Sequence, residues 1–345
     1  MSVNSIEICV KGKYFTVPAL SVQGRDIIVS GRLLKVATIH AEEWLETELE
    51  DPEECIKKLK DSPSNSLKAD IFAFTQKLPA IEPKYRYPME WDSIAAIRLT
   101  NFTEWWETKL PQETRKNVRR AAKRGVITRV QELDDDLIRG IVELNNDSAM
   151  RQGRTFDHYG KTFVQVKKDQ SSFLDRCDFI CAYSGQELIG FMKIVYCREV
   201  GTILQFIMKN SAYDKRPANA LITKAVEHCL HKGLSYLVYG MYVYGNKRST
   251  SLVEFKKRNG FDEISVPHFY VPLTVKGNIA ITLNLHRGLF GILPEWVISF
   301  RNNLRAKWHS LMLRVSRCSS MLERPSCNRQ MERSIPPAGS NHPRE

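Results

Sequence analysis

Apolar and polar positions alternate between residues 188 and 261 in a way that predicts an α/β unit. Two runs rich in β-branched and aromatic residues, separated by a polar turn, are typical of paired strands. A helix-periodic run follows and Gly233 ends it, since glycine is favoured just after a helix. A third strand and a short helix complete the unit. The predicted elements, in order, are residues 188–195, 201–207, 221–231, 235–239 and 252–261.

The segment before the predicted helix is small and basic: Asp214-Lys-Arg-Pro-Ala-Asn-Ala220. The first N–H groups of a helix have no partner within it, and they lie at the positive end of the helix dipole. Lys215 and Arg216 add positive charge, whereas Pro217 removes one donor. The pattern therefore predicts an anion site. The alternative is an ordinary helix start with proline before its first turn.

This arrangement resembles the GNAT superfamily of acyl-CoA N-acyltransferases. In that superfamily an Arg/Gln-x-x-Gly-x-Gly/Ala turn after a central strand holds the pyrophosphate of coenzyme A on backbone amides. Lys215-x-x-Ala218-x-Ala220 keeps the basic first position and the small last one, and lacks the middle glycine. The resemblance implies an α/β (α+β) fold, acyl-CoA as co-substrate, and no metal. It also implies a set of cofactor-binding residues: Lys215, Arg216, Ala218, Asn219 and Ala220.

The end of the unit resembles the Fem branch of that superfamily. Leu252-x-x-Phe255 and Gly260-Phe261 are similar to the helix and turn that close the fold. Relatives usually carry a tyrosine there that protonates the leaving thiolate, whereas this chain has Phe255. Trp105-Trp106 and the basic run 115–126 are also Fem-like. Fem members build twin GNAT-like halves and attach amino acids or acyl groups to cell-envelope precursors. The resemblance implies two such halves around mixed sheets, followed by a helical C-terminal tail.

The length of the chain, 345 residues, exceeds the usual size of a single core and predicts two domains or two fused halves. The last segment is rich in Pro, Ser and Arg, which predicts disorder. The expected parts are a degenerate GNAT-like half, a GNAT-like acyltransferase domain, an amphipathic helical tail and a disordered end: residues 1–129, 130–275, 276–320 and 321–345.

The composition and charge of the chain indicate which classes of partner and which location to expect. The net charge of +12 favours anionic partners such as a nucleotide cofactor, a nucleic acid or an acidic membrane face. The 8 cysteines form no Cys-x-x-Cys pair with matching histidines, so we expect reduced thiols and no metal site. No secretory signal and no apolar run of about 20 residues is visible. We therefore expect a cytoplasmic protein, with the inner face of the membrane as a peripheral location.

Acyl transfer to an amine demands little from side chains. It needs a positioned thioester, a polarised carbonyl and a base that takes a proton from the ammonium. The segment 239–247 follows the strand expected to line the cofactor cleft. Tyr242 and Tyr244 are the catalytic candidates there, Tyr239 belongs to the acceptor side, and Asn246 and Lys247 face the donor. The alternative is an aromatic loop that packs on the sheet.

The loop 151–159 is the second candidate for the acceptor side. Arg151, Gln152 and Arg154 can hold a carboxylate or phosphate, because guanidinium groups match those anions. His158 titrates near neutrality and is a candidate base. The alternative is a hydrogen-bonded surface loop.

Two basic segments suggest further partners. Arg115, Arg119 and Lys123 share one face of a predicted helix and could bind phosphates of tRNA or of a lipid, or could simply be solvated. The tRNA-dependent Fem enzymes often carry a coiled-coil arm; no sustained heptad is present here, which favours a thioester donor. The amphipathic stretch 295–317 suits an anionic membrane surface or docking on the protein's own core.

The sequence thus predicts an N-acyltransferase that moves an acyl group from acyl-CoA to an amine acceptor, with a cell-envelope or polysaccharide precursor as one option. Two alternatives stay open: an aminoacyl-tRNA-dependent Fem-like aminoacyltransferase, and a non-catalytic GNAT-fold binding protein.

Overall fold

The computed structural model describes residues 3–10, 13–151, 154–243 and 250–287. Within these ranges a 12-stranded mixed sheet forms the frame of the molecule, and a separate 2-stranded hairpin accompanies it. The strands are β1 Val3–Val10, β2 Lys13–Val22, β3 Arg25–Ser30, β4 Val36–Ile39, β5 Ile71–Thr75, β6 Met89–Arg98, β7 Val126–Gln131, β8 Met150–Arg151, β9 Arg154–Thr155, β10 Cys177–Ser184, β11 Glu187–Cys197, β12 Val200–Met208, β13 Tyr236–Met241 and β14 Asp262–Pro272.

Helices cover the sheet, and several begin at a side chain that accepts a backbone N–H. Asp51, Asn101, Asp134 and Thr250 are such capping residues. The helices are α1 Pro52–Lys60, α2 Phe102–Glu104, α3 Gln112–Lys123, α4 Asp135–Asn145, α5 Phe163–Gln170, α6 Pro217–His231, α7 Ser251–Arg258 and α8 Val275–Thr282. A π-helical turn, Trp105–Lys109, extends α2.

The strand order brings early and late strands of the described residues together in one sheet. The order is β1-β2-β3-β4-β5-β14-β6-β13-β12-β11-β10-β7. The late strand β14 lies between β5 and β6, so it connects the N-terminal strands to the rest. β12 and β13 run parallel, and α6 forms the crossover between them, as a parallel connection requires.

Apolar side chains fill both faces of the sheet. Leu221 and Val226 of α6 pack on Ile194 and Leu237 in the largest buried cluster. On the opposite face, Val238 packs with other residues of β6, β14 and the loop after β5, which are Ile94, Val266 and Leu78. A third cluster joins α1 to the N-terminal strands around Phe72. The two faces of the central strands are therefore distinct surfaces.

The mixed architecture confirms the predicted α/β (α+β) fold class. α4 ends at Asn145, and beyond that end the Asp147 carboxylate accepts the Asn210 N–H at 2.6 Å. The predicted domain boundaries stay predictions, and the amphipathic stretch 295–317 lies outside the described residues. Among the helices that the structure describes, none has the length and apolar character to cross a bilayer.

Candidate functional site

The central feature of the site is a gap between two neighbouring strands. In the described part of the chain, β12 and β13 pair only from Val200 opposite Tyr236 to Thr202 opposite Val238. β12 nevertheless continues to Met208 and β13 to Met241. The strands therefore part after their first residues, and their later backbone groups face a gap in the middle of the sheet.

Irregularities in both strands explain why they part. On β12, Ile203 lies opposite Ile194 and Gln205 opposite Lys193, so Leu204 is an extra residue against β11. β13 shifts its register against β6 between Val238 and Met241. Gly240 within that shift has φ 58°, a conformation that glycine adopts without strain. Bulges bend a strand and increase its twist, so two bulges at this level direct the strands apart.

Aromatic side chains lie beside the gap on the α6 face. The rings of Phe206 on β12 and Tyr239 on β13 are 5.7 Å apart between centroids. Phe261 lies 5.8 Å from Tyr239, and Phe255 of α7 lies 6.1 Å from Phe206. Tyr239, which the sequence predicts for the acceptor side, therefore lies beside the gap. Phe206 and Tyr239 form an aromatic wall there, and Phe255 packs against Phe206.

Lys256 is a buried cation in the same place. Its side chain has 0% exposure, and its ammonium donates a hydrogen bond to the Met241 carbonyl at the end of β13. The ammonium lies 5.0 Å from the centre of the Tyr239 ring. Burial lowers the pKa of Lys256 to about 8, because desolvation disfavours the charged form. A lysine with this pKa exchanges its proton readily near neutral pH.

The start of α6 has the geometry expected of an anion site. Arg216 precedes the helix in the left-handed conformation, with φ 59°, and within the described chain no side chain at this position caps the helix. Pro217 takes the first helical position, where its missing N–H is no loss. The next two amides, of Ala218 and Asn219, lie in the first turn, where a helix provides no acceptor.

Polar contacts fix the surroundings of that helix start. Lys215 donates to the Ser184 hydroxyl at 2.7 Å, and the Arg124 guanidinium pairs with Asp214 at 3.1 Å. Asn219 donates its side-chain amide to the buried Asn259 at 2.9 Å, which ties α6 to the end of α7. The predicted donor residues Lys215, Arg216, Ala218, Asn219 and Ala220 thus lie together, and their part in donor binding stays a prediction.

The predicted acceptor loop makes contacts of another kind. Arg151 donates to the Met208 carbonyl at 2.7 Å and to the Leu144 carbonyl at 3.3 Å, so its guanidinium holds the end of β12. Arg154 is exposed on β9. His158 is half-buried 5.3 Å from the Phe156 ring, and burial lowers its pKa. Their proposed roles stay predictions.

The predicted tyrosine segment is described in part. Tyr242 is buried, its backbone N–H donates to the Ser93 carbonyl at 2.7 Å, and burial beside the Glu263 carboxylate raises its pKa. Its role stays a prediction. The other members of the predicted site, Gln152, Tyr244, Asn246 and Lys247, lie outside the described residues.

A cavity of about 690 Å³ opens on the face of the sheet opposite α6. Thr202, Val238 and Gly240 form its floor, on the strands that part. The segments 41–48 and 75–80 form its walls. Sequence reasoning missed this cavity, because its walls come from a part of the chain distant in sequence from β12 and β13. In the residues that the structure describes, no cluster of His, Cys, Asp and Glu is arranged to hold a metal ion.

Comparisons with known proteins agree with this geometry. A family model described as an acetyltransferase (GNAT) domain matches residues 109–256. The structure of L-PGS from Bacillus licheniformis is similar with a TM-score of 0.51 at 13% identity, over 78% of this chain and 86% of that one. The crystal structure of FemX has a TM-score of 0.48 at 12% identity, over 81% of this chain and 90% of that one. No curated protein sequence matches the chain.

The match to L-PGS shows a shared fold, and the family model covers α3, the parted strands and α6. The predicted resemblance to the GNAT superfamily is therefore confirmed over these residues. Residues 109–256 of the chain match a GNAT acetyltransferase domain, and this match supports a transferase.

Proposed function

We propose that the protein transfers an acyl group from an acyl-CoA thioester to an amine. The observation that carries this proposal is the position of the uncapped α6 start directly after β12, the strand that parts from β13. When the amides of Ala218 and Asn219 hold the diphosphate of the donor, the rest of the donor can extend along the gap. A helix start alone would bind any small anion, but the adjacent gap suits a long arm that ends in a thioester.

The gap offers what the pantetheine arm of coenzyme A needs. Among the residues that the structure describes, the backbone of β12 beyond Thr202 has no strand partner on its β13 side. Unpaired strand groups bind extended chains that carry amides, as in strand addition to a sheet edge. The aromatic wall of Phe206 and Tyr239 excludes water from the end of that arm.

The chemistry follows from these positions. The amine nitrogen attacks the thioester carbonyl carbon, a C–N bond forms, and the C–S bond breaks. Negative charge develops first on the carbonyl oxygen and then on the thiolate. The Lys256 ammonium beside the gap stabilises that charge and gives its proton to the thiolate, and solvent restores the proton. With a pKa of about 8, Lys256 is charged at neutral pH and still a competent acid.

An aminoacyl-tRNA donor is the alternative within the same fold. It needs the basic face of α3 to be available for phosphates. Arg115, however, donates to the carbonyls of Trp106 and Glu107, at 2.9 Å and 2.7 Å, and Arg120 pairs with Glu113 at 3.0 Å. These contacts favour the thioester donor over tRNA.

Calorimetry with acetyl-CoA and with bulk tRNA tests the proposal, together with thiol release from acetyl-CoA in the presence of amines. We expect acetyl-CoA to bind and thiol to be released. Binding of tRNA alone would replace the proposal by aminoacyl transfer, and binding of neither would indicate a non-catalytic GNAT fold.

A further inference from the structure

We propose that the cavity opposite α6 binds the amine acceptor, and that this acceptor carries a second positive charge, as an alkyl diamine or polyamine does. The inference rests on the proposed function, because it assigns the acceptor of the same reaction. The position of the cavity, its charge and its apolar lining support this assignment.

The position of the cavity relative to the parted strands suits an acceptor site. Successive residues of a strand point to opposite faces of a sheet. On β13, Leu237 and Tyr239 face α6, whereas Val238 and Gly240 line the cavity. The aromatic wall and the cavity floor are therefore two sides of the same parted strands. A nucleophile in the cavity can reach a thioester carbonyl held in the gap without entering from the donor side.

The charge of the cavity lining suits a cationic acceptor. Carboxylates outnumber basic side chains around the cavity, although the chain as a whole has a net charge of +12. The acidic residues are Glu42, Glu43, Glu46, Glu48, Asp92 and Glu199. The basic ones are Lys77, Lys84 and Arg198. An acidic recess in a basic protein attracts cations and discriminates against anionic acceptors.

Internal pairing accounts for only part of that charge. Glu48 pairs with Lys84, and Asp92 pairs with His268 at 2.7 Å. Glu43 and Glu46 are exposed at the rim. Glu199 accepts a hydrogen bond from the Ser235 hydroxyl. Two groups of carboxylates thus remain for a ligand: the half-buried Glu42 within the cavity and the pair at its rim. A ligand with a cation at each end could pair with both groups.

The lining between these carboxylates is apolar. Its larger apolar side chains include Ile39, Leu78, Ile94, Val200 and Val266. Methylene groups of an alkyl chain gain free energy when they leave water and contact such a surface. A sugar or peptide acceptor would place more of its polar groups against these apolar side chains than an alkyl chain does. Charge at the ends and apolar surface between them point to an alkyl amine.

Glu42 is suited to take the proton of the reacting amine. The Thr75 N–H donates to its carboxylate at 3.0 Å, which fixes its position on the cavity wall. An ammonium has no lone pair, so it must lose a proton before it attacks. That proton passes to Glu42 directly or through water, and from there to solvent. The thiolate receives its proton separately from Lys256, so the reaction balances.

Binding of three four-carbon amines tests the inference without the donor. The probes are 1,4-diaminobutane, n-butylamine and 4-aminobutanoate, which differ mainly in the charge at the far end. We expect calorimetry to show that the diamine binds about tenfold more tightly than n-butylamine, with 4-aminobutanoate the weakest. Equal affinity for the three probes, or no binding of the diamine, would overturn the inference.

Variants locate the site. Glu42→Gln should weaken diamine binding about tenfold, and Glu46→Gln about threefold because that side chain is exposed. Glu50→Gln removes an exposed charge outside the cavity and should leave binding unchanged. Unchanged binding in both cavity variants would overturn the inference. Since Glu46 is exposed, its variant keeps the test valid even where Glu42→Gln folds poorly.

Thiol release from acetyl-CoA with the same amines separates this inference from the proposed function. We expect the highest kcat/KM with the diamine, again by about tenfold. If acetyl-CoA binds and the amines react equally well, the acceptor assignment is wrong while acyl transfer stands. If acetyl-CoA does not bind, the proposed function fails.

Discussion

The Lys256 ammonium lies 5.0 Å from the centre of the Tyr239 ring, beside the point where β12 and β13 separate. Attraction between a cation and an aromatic face partly compensates for lost hydration. Compensation is incomplete, since burial still lowers the pKa of this lysine to about 8. The arrangement thus keeps a proton donor of moderate acidity next to the gap proposed for the thioester.

Replacing this lysine separates its chemical role from its structural one. Lys256→Met keeps the length of the side chain and removes the charge. We expect kcat to fall about 100-fold, the usual size of one acid–base contribution, while the Kd for acetyl-CoA changes less than about twofold. The free energy of unfolding at pH 7 should change little, because removal of a buried charge offsets the loss of the hydrogen bond to the Met241 carbonyl.

Steady-state kinetics and urea denaturation provide these measurements. Lys257→Met is the matched control, since Lys257 is the exposed neighbour on α7 and should leave kcat unchanged. A kcat for Lys256→Met within about threefold of the unsubstituted protein would contradict a catalytic part for this lysine.

Glu42 makes the stability of the protein depend on pH in a defined direction. Burial raises its pKa from 4.5 to about 7, although the neighbouring His268, Lys77 and Arg25 act in the opposite sense. The folded protein therefore binds more protons than the unfolded chain between these values, and stability is lost as pH rises from about 4.5 to 7. A glutamine at position 42 does not titrate, so the Glu42→Gln variant lacks this dependence of stability on pH.

Urea denaturation at pH 5 and pH 8 measures this effect. Relative to the unsubstituted protein, Glu42→Gln should gain about 2 kcal/mol in the free energy of unfolding between the two pH values. Glu50→Gln serves as the control with an exposed carboxylate. A difference that is the same at both pH values would show that Glu42 titrates normally.

The same group should appear in the pH profile of the reaction. A base must be deprotonated to act, so kcat/KM for 1,4-diaminobutane should rise with pH through about 7, the pKa of Glu42. In Glu42→Gln this rise should disappear and the rate should be lower throughout. A profile that keeps the rise in the variant would assign the titration to another group.

Gly240 tests whether the shape of β13 matters for the donor. Its φ of 58° disfavours a side chain, so Gly240→Ala should lower the free energy of unfolding by about 1 kcal/mol and raise KM for acetyl-CoA. Gly233→Ala is the control, since Gly233 has φ 73° and nothing near its missing side chain. Both variants should lose similar stability, and only the first should change KM. Equal KM values would show that the gap tolerates a changed strand.

The sequence predicted the parts of the fold that depend on local patterns. Apolar periodicity over residues 221–231 and the stop at Gly233 match α6, which ends at His231. The basic helix predicted to carry Arg115, Arg119 and Lys123 matches α3. Small residues before Leu221 likewise indicated the helix start proposed for the diphosphate.

Features that depend on distant contacts could not be predicted in this way. Glu42 reaches the cavity because β4 and β5 join the sheet through β14, which lies more than two hundred residues later in the chain. Lys256 stands in the run Lys256-Lys257-Arg258, which is typical of a solvated helix end. Its spacing of four from Leu252 puts it on the apolar face of α7, and that signal could have identified it.

Acetyl-CoA binding to two variants of Ala218 most directly tests whether the α6 amides hold the donor diphosphate. An acid in the first turn stabilises a helix by about 0.5 kcal/mol and repels phosphate, whereas asparagine has the same shape without the charge. By calorimetry, Ala218→Asp should raise the Kd for acetyl-CoA at least about tenfold without loss of stability, and Ala218→Asn should bind like the unsubstituted protein. Equal affinities of the two variants would contradict a diphosphate site at the start of α6.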